Sequence, residues 1–226
     1  MKVEIQYRPS YALAVVSLDP QETIQAEAGA MVSMSPGLAM DTGTKGGIMG
    51  ALKRSVLGGE SFFMNTYQAP ANGGQITLAP ALPGDMAVIE LSNEPLMVQS
   101  GSYVASSAGL TIDTKWSGAK TFFAREGLIM LRCSGSGTLV LSSYGAIHEM
   151  PLAEGQTHTV DTGHLVAFTE GMGFQVKRVG GMKSTLFSGE GLVVDLTGPG
   201  KVMMQTRSDD AFLSWLIPRL PKDHHK

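Results

Sequence analysis

GAMVSMSPGLAM at residues 29–40, GSYVASSAGLTI at 101–112 and GHLVAFTEGMGF at 163–174 share one ungapped frame: glycine, any residue, an apolar residue, valine, then serine or alanine, with a second glycine eight positions after the first. Gly29, Gly101 and Gly163 align, as do Val32, Val104 and Val166, and Gly37, Gly109 and Gly171. The spacing suits two short strands joined by a turn, the second glycine supplying a positive φ or a close backbone approach. A second frame occurs as GESFFM from Gly59, REGLIM from Arg125 and GEGLVV from Gly189, which puts Glu60, Glu126 and Glu190 in register. Each copy leads into a glycine turn and a further strand, in GGQITL, GSGTLVL and GPGKVMM, and so reads as a hairpin.

In chain order the frames run first, second, first, second, first, second, and the reading adopted here starts the chain inside a unit that its other end completes. It predicts an all-β fold with pseudo-threefold symmetry: one closed domain over 1–208, whose units are 1–40 with 189–208, 59–112 and 125–174. Connectors then fall at 41–58, 113–124 and 175–188, a helix at 209–217 and a tail at 218–226. Closure of this kind removes exposed strand edges.

The connectors carry a glycine-lysine feature that resembles a phosphate loop. GALKRSVLGGE, GAKTFFARE and GGMKSTLFSGE align, with Gly50, Gly118 and Gly181 preceding Lys53, Lys120 and Lys183. A phosphate-binding loop needs glycine directly before its lysine and serine or threonine directly after, whereas Leu52 and Arg54 flank Lys53. The feature belongs to a connector made three times, and it places Lys53, Lys120, Lys183 and Arg54 as a candidate anion-binding cluster.

Composition narrows the chemistry. The 226 residues are 43% hydrophobic and 16% charged, enough apolar material for a substantial core, and 28 glycines exceed the roughly 7% average and imply many turns. A net charge of −3 argues against nucleic acid as a partner. Cys133 is the single cysteine; no internal disulfide can form, and its apolar context reads as a buried hydrophobe in a reducing compartment. The N-terminus lacks the apolar run of a signal peptide, so a soluble, cytoplasmic protein is expected.

Two clusters invite catalytic readings. His158, Asp161 and His164 lie in THTVDTGHLV, but an extended strand places Asp161 on the face opposite both histidines, and neither a metal nor another cofactor is expected. Glu60, Glu126 and Glu190 form a candidate carboxylate cluster if the symmetry gathers them, while the plainer reading has each accepting backbone N–H groups in a tight turn. A metal-dependent enzyme on a cupin-like β-barrel is the alternative to a non-enzymatic scaffold or binding protein that assembles with itself.

The stretches GGIMGALKR, GGESFF, ITLAPALPGDMAVIEL and FLSWLIPRLP resemble prokaryotic relatives of the altered-inheritance-of-mitochondria (mitochondrial biogenesis) family along nearly the whole chain. That resemblance implies a triplicated TRAP-like unit, a variant of the double-stranded β-helix, and brings no catalytic residue with it.

At the C-terminus, Ser208 is placed to cap a helix, Asp209 and Asp210 suit its positive end and Pro218 stops it. Phe212, Leu213, Trp215, Leu216 and Ile217 make it apolar on nearly every side, so it requires cover from its own barrel, a neighbouring subunit or a membrane; Phe212, Trp215 and Leu216 are the interface candidates. The lysine cluster generates a direct test. Binding to anionic vesicles is expected to be salt-sensitive and to weaken on Lys53→Ala, Lys120→Ala or Lys183→Ala, by about fivefold each, since a lysine near such a surface contributes roughly 1 kcal/mol. Equal binding to neutral and anionic vesicles would remove the anion reading.

Overall fold

The computed structural model of the protein describes residues 1–41, 55–57, 60–113, 129–178 and 192–221. Strands dominate. The first set is β1 (Lys2–Gln6), β2 (Leu13–Leu18), β3 (Thr23–Glu27), β4 (Met31–Met34), β5 (Ala39–Asp41), the short pair β6 (Ser55–Leu57) and β7 (Glu60–Phe62), β8 (Met64–Gln68) and β9 (Gly74–Leu78). The second is β10 (Met86–Ser92), β11 (Leu96–Gln99), β12 (Tyr103–Ser107), β13 (Leu110–Asp113) and the long β14 (Met130–Ser142). The third is β15 (Ile147–Leu152), β16 (Thr157–Asp161), β17 (Leu165–Thr169), β18 (Gly173–Arg178), β19 (Leu192–Thr197) and β20 (Gly200–Gln205), followed by helix α1 (Asp209–Leu216). The period-2 alternation of apolar residues explains the strands: LAVVSL in β2 and TIQAE in β3 bury every second side chain.

Pairing is antiparallel throughout the ladders. β9 lies between β2 and β4, and β8 between β3 and β5. β14 receives β10 and β12 along its second half and β11 and β13 along its first. β20 lies between β15 and β17, and β19 between β16 and β18. A register shift interrupts β4 at Met31/Ser33, β12 at Tyr103/Ala105 and β17 at Leu165/Ala167, in each case at the valine of the first sequence frame.

These pairings correct two expectations. The glycine turns of the second frame do not fold hairpins: β8 and β9 go to different partners, as do β19 and β20, and Gly135 and Gly137 lie inside the continuous β14 at φ +106° and +147°. The glycines bend the chain from one sheet into the next, a passage that uses the same residue as a tight turn. The second correction concerns the permuted unit. β19 and β20 pair within residues 147–205 and make no ladder with residues 1–40, whose partners are β8, β9 and β12. A cyclic order of motifs can be cut anywhere, and pairing within one stretch of chain closes shorter loops than pairing its two ends, which lowers the entropic cost.

Nor does the structure close into a barrel. The sheets run β1-β2-β9-β4, then β15-β20-β17-β11-β14-β12-β3-β8-β5, then β16-β19-β18, with β6-β7 apart, each an open path among the described residues. Closure needs a matched tilt and stagger around the whole circuit, which hairpin-scale signals do not specify. The anticipated connectors fall mainly outside the described residues, although β6 puts a strand within 41–58.

Three apolar clusters follow the strand sets and share members across their boundaries. Val104, Ala105 and Val140 join the first cluster with Val16, Ile24 and Ile76, while Val166, Ala167 and Met203 join the second with Val98, Leu131 and Leu141. Each such buried valine, leucine, isoleucine or methionine contributes about 1.5–3 kcal/mol, and the alanines less. The second glycine of the first frame behaves as its spacing requires: Gly37 and Gly171 both sit at φ +91°, and a Cβ on Gly109 would collide with the Ser136 carbonyl.

The starts of the sets are tied together by Ala12 N–H donating to the Gly84 carbonyl (3.0 Å) and Asp85 N–H to the Gly145 carbonyl (2.8 Å). Beside them Arg8 grips Asp85 with two hydrogen bonds, Nε to Oδ1 at 2.7 Å and Nη2 to Oδ2 at 2.9 Å, and Met86 N–H adds a third to Oδ1. Burial works to raise the Asp85 pKa, but the Arg8 guanidinium and the Met86 N–H outweigh it and hold the carboxyl below its ordinary range. Arg8→Ala is expected to cost about 1–2 kcal/mol at pH 7 in urea unfolding, the pair being partly exposed on the arginine side. Because the folded pKa is depressed, this stability is fully present above the ordinary aspartate range and is lost only as pH falls through the lower folded value. The deficit of the variant should therefore shrink steadily as pH falls below the ordinary aspartate range.

Candidate functional site

Where the three strand sets meet α1, the structure leaves a cavity of about 470 Å³. Glu27 from the end of β3, Gln99 from the end of β11, Ser143 and Tyr144 beyond β14, Gln205 from β20 and Asp210 from α1 are among its walls. The sequence places two of them by one rule: Glu27 and Gln99, like Asp161 at the third turn, each stand two residues before the first glycine of the repeated frame, where a strand ends and the chain turns. At the third of these turns Asp161 Oδ1 accepts from Gly163 N–H at 2.8 Å.

The wall is held in place by Gln205. Its Nε2 donates to the Gly163 carbonyl (2.9 Å), its Oε1 accepts from Tyr144 N–H (2.8 Å), and its own carbonyl accepts from His164 Nδ1–H (2.7 Å). Tyr103, fully buried behind the cavity, shares a hydrogen bond with the Ser106 hydroxyl (2.8 Å) and donates to the Gln25 carbonyl (3.3 Å); burial drives its phenol pKa well up, so it stays protonated.

The cavity is acidic. Burial raises the Glu27 pKa to about 7, and no ion pair to Glu27 occurs among the described residues. The Asp210 carboxyl is raised too, first by burial and then by Asp209 and Asp161 nearby. Such a wall, with carboxyls, amides and hydroxyls, suits a small polar ligand that donates hydrogen bonds, and Glu27 can exchange a proton near neutrality.

The residues singled out from sequence are distributed as follows. Lys53, Arg54, Lys120, Lys183, Glu126 and Glu190 lie outside the described residues; Glu60 opens β7. Cys133 is fully buried in the second apolar cluster, and burial pushes its thiol up to about 12, as befits a small hydrophobe. His158 and Asp161 fall on β16 and His164 on the turn after it; among the described residues no group of three potential metal donors occurs. Ser208 caps α1 through its hydroxyl, which accepts from Ala211 N–H at 3.4 Å, and Pro218 follows in a 3-10 turn. Among the described residues the helix and the turn after it find little cover: Phe212 is 37% exposed, Trp215 55% and Ile217 61%, while Leu216 is partly buried. Phe212 packs edge-on against Tyr144 and stacks with Trp215, over which Arg219 lies at 4.7 Å. No described helix is long and apolar enough to cross a membrane.

The family model for mitochondrial biogenesis AIM24 matches residues 3–207. The chain belongs to this family. An uncharacterised protein of Streptococcus pyogenes serotype M6 is 27% identical over 98% of the chain and 92% of that protein. An X-ray crystal structure of a Streptococcus pyogenes protein, 25% identical, superposes with a TM-score of 0.78 over 97% of the chain and 99% of its own. Both relatives are thus bacterial, and the one with a solved structure shares the fold.

Sequence reasoning missed Glu27, Gln99, Gln205 and Asp210 as cavity walls; the position two before a frame glycine was available as a signal for Glu27 and Gln99, and none was for Gln205 and Asp210. The raised Glu27 pKa makes it testable. A carboxyl with a raised folded pKa leaves stability intact below its unfolded value near 4.5 and loses it as pH rises through about 7. Glu27→Gln is expected to stabilise the protein by about 1–2 kcal/mol at pH 8 in thermal or urea unfolding, with the gain vanishing toward pH 4.5. A gain independent of pH would mean that Glu27 is not a desolvated acid.

Proposed function

We propose that the protein is a non-enzymatic β-scaffold: three copies of one TRAP-like, double-stranded β-helix unit in tandem, presenting binding surfaces and assembling with further copies of itself in the cytoplasm. The observation that carries this reading is the pairing scheme, in which the stretches 13–78, 86–142 and 147–205 each make the same four ladders with the same break at the frame valine. Units of this kind stack side by side, and their terminal copies expose what the inner ones bury.

Two further observations support it. Three of the side chains with chemical potential are committed to structure: the Cys133 thiol to the core, Asp161 to a turn, His164 to the Gln205 carbonyl. The apolar residues Phe212 and Trp215 of α1 and Ile217 just beyond it stand exposed on an isolated chain, and a neighbouring subunit would cover them. An anionic ligand or membrane surface at Lys53, Arg54, Lys120 and Lys183 is a compatible extension of the scaffold role.

Light scattering combined with elemental analysis tests the reading. The expected result is a discrete, metal-free oligomer that shifts toward monomer in the Phe212→Ser/Trp215→Ser variant. Stoichiometric transition metal in the purified protein would favour an enzyme on a cupin-like barrel instead.

A further inference from the structure

The two inner boundaries between strand sets are antiparallel ladders with one register. At the first, Ala105 faces Ala26, Ser106 faces Gln25 and Ser107 faces Ile24. At the second, Ala167 faces Val98, Phe168 faces Met97 and Thr169 faces Leu96. In the frame numbering these are the same three pairs, since residues 24–26 align with 96–98 and 105–107 with 167–169. Each boundary joins the strand before the first frame glycine in one set to the strand after it in the next.

Carried one step further, the rule requires β16 of the third set to meet the strand equivalent to β12 and β17, which is β4. Within the chain they do not meet. β4 ends the sheet β1-β2-β9-β4, β16 ends the sheet β16-β19-β18, and no ladder joins either of these sheets to another among the described residues. The exposures follow. Val104 and Val166 are 0% exposed and Val32 is 59%; Ser106 and Phe168 are 0% and 1% exposed, and the equivalent Met34 is 40%. On β16, Thr157, His158 and Thr159 are exposed, although β3 and β11 are half-buried or buried throughout. The chain thus ends in two complementary edges, each with one side of its backbone ladder unfilled, and one of them apolar. An edge of that kind is a template for another strand.

Deepening the self-assembly reading and resting on it, we propose that copies of this chain join head to tail, β4 of one copy pairing antiparallel with β16 of the next, with Ser33 facing Val160, Met34 facing Thr159 and Ser35 facing His158. The occupant is a second copy because the same chain supplies both halves of a junction that it builds twice internally. The junction makes one continuous seven-strand sheet from the two small ones. Because the surfaces in contact differ, the contact is heterologous and produces a closed ring or a filament, according to the rotation per copy.

Cysteines at Met34 and Thr159 report the junction directly. Residues facing one another across an antiparallel ladder have Cα atoms about 4.5–5.5 Å apart, within disulfide range, and the native Cys133 is buried. Mild oxidation of the full-length Met34→Cys/Thr159→Cys protein should give a ladder of covalent multimers on non-reducing gels, and each single variant should give far less cross-linking. Moving the second cysteine two residues along, in Met34→Cys/Thr157→Cys, should slow cross-linking at least tenfold. A Val32→Lys/Met34→Lys variant, folded by circular dichroism, should weaken assembly at least tenfold in light scattering. A cross-linked monomer would show that the chain closes on itself and would overturn the proposal. So would an oligomer whose size ignores both sets of substitutions, which would leave self-assembly standing through another surface such as α1. A wild-type monomer at every concentration would remove the self-assembly reading and the junction with it.

Discussion

The ladders that join neighbouring strand sets, Ala105 on Ala26 and Ala167 on Val98, are the interaction on which the remaining structure depends. Backbone N–H and C=O groups along a strand must find partners when buried, and these ladders satisfy them at the positions where the apolar clusters merge. β12 and β17 are therefore buried on both faces along nearly their whole length, unlike a strand with one face in water. The core is continuous because the ladders carry Val104 into the first cluster and Val166 into the second.

The same junctions shape the polar cavity. Strand ends that meet neighbouring sets turn away together, so Glu27, Gln99 and the residues after Asp161 converge on one space beside Gln205 and α1. Burial there costs an ionised carboxylate its hydration, which raises the pKa of Glu27, whereas Asp85, also withdrawn from water but held by Arg8 and Met86 N–H, stays ionised. Two carboxyls on one scaffold thus differ in charge state for a reason that lies in their partners.

Helix α1 illustrates the limits of a local signal. Its cap at Ser208, its acidic first turn and the proline at its end are all local chemistry, and its boundaries come out as that chemistry dictates. What covers its apolar face is a tertiary question, and within one chain the answer is chiefly Tyr144 packed against Phe212. Two bacterial relatives match this chain nearly from end to end, and that face and the open strand edges are where contacts beyond the chain are to be sought.

The sequence by itself determined the strand content, the recurrent frames with their aligned valines and glycines, the capped helix and the burial of Cys133. All of these follow from period, local turn chemistry or hydrophobicity, which act over a few residues. Tertiary structure alone decided that the glycine turns cross between sheets instead of folding hairpins, that residues 192–205 stay with 147–178, and that the array remains open. It also decided that Glu27 and Asp210, 183 residues apart in sequence, face one cavity. The physical reason is the same in each case: a motif specifies which groups need partners, and only the stacking of whole sheets specifies which partner lies within reach.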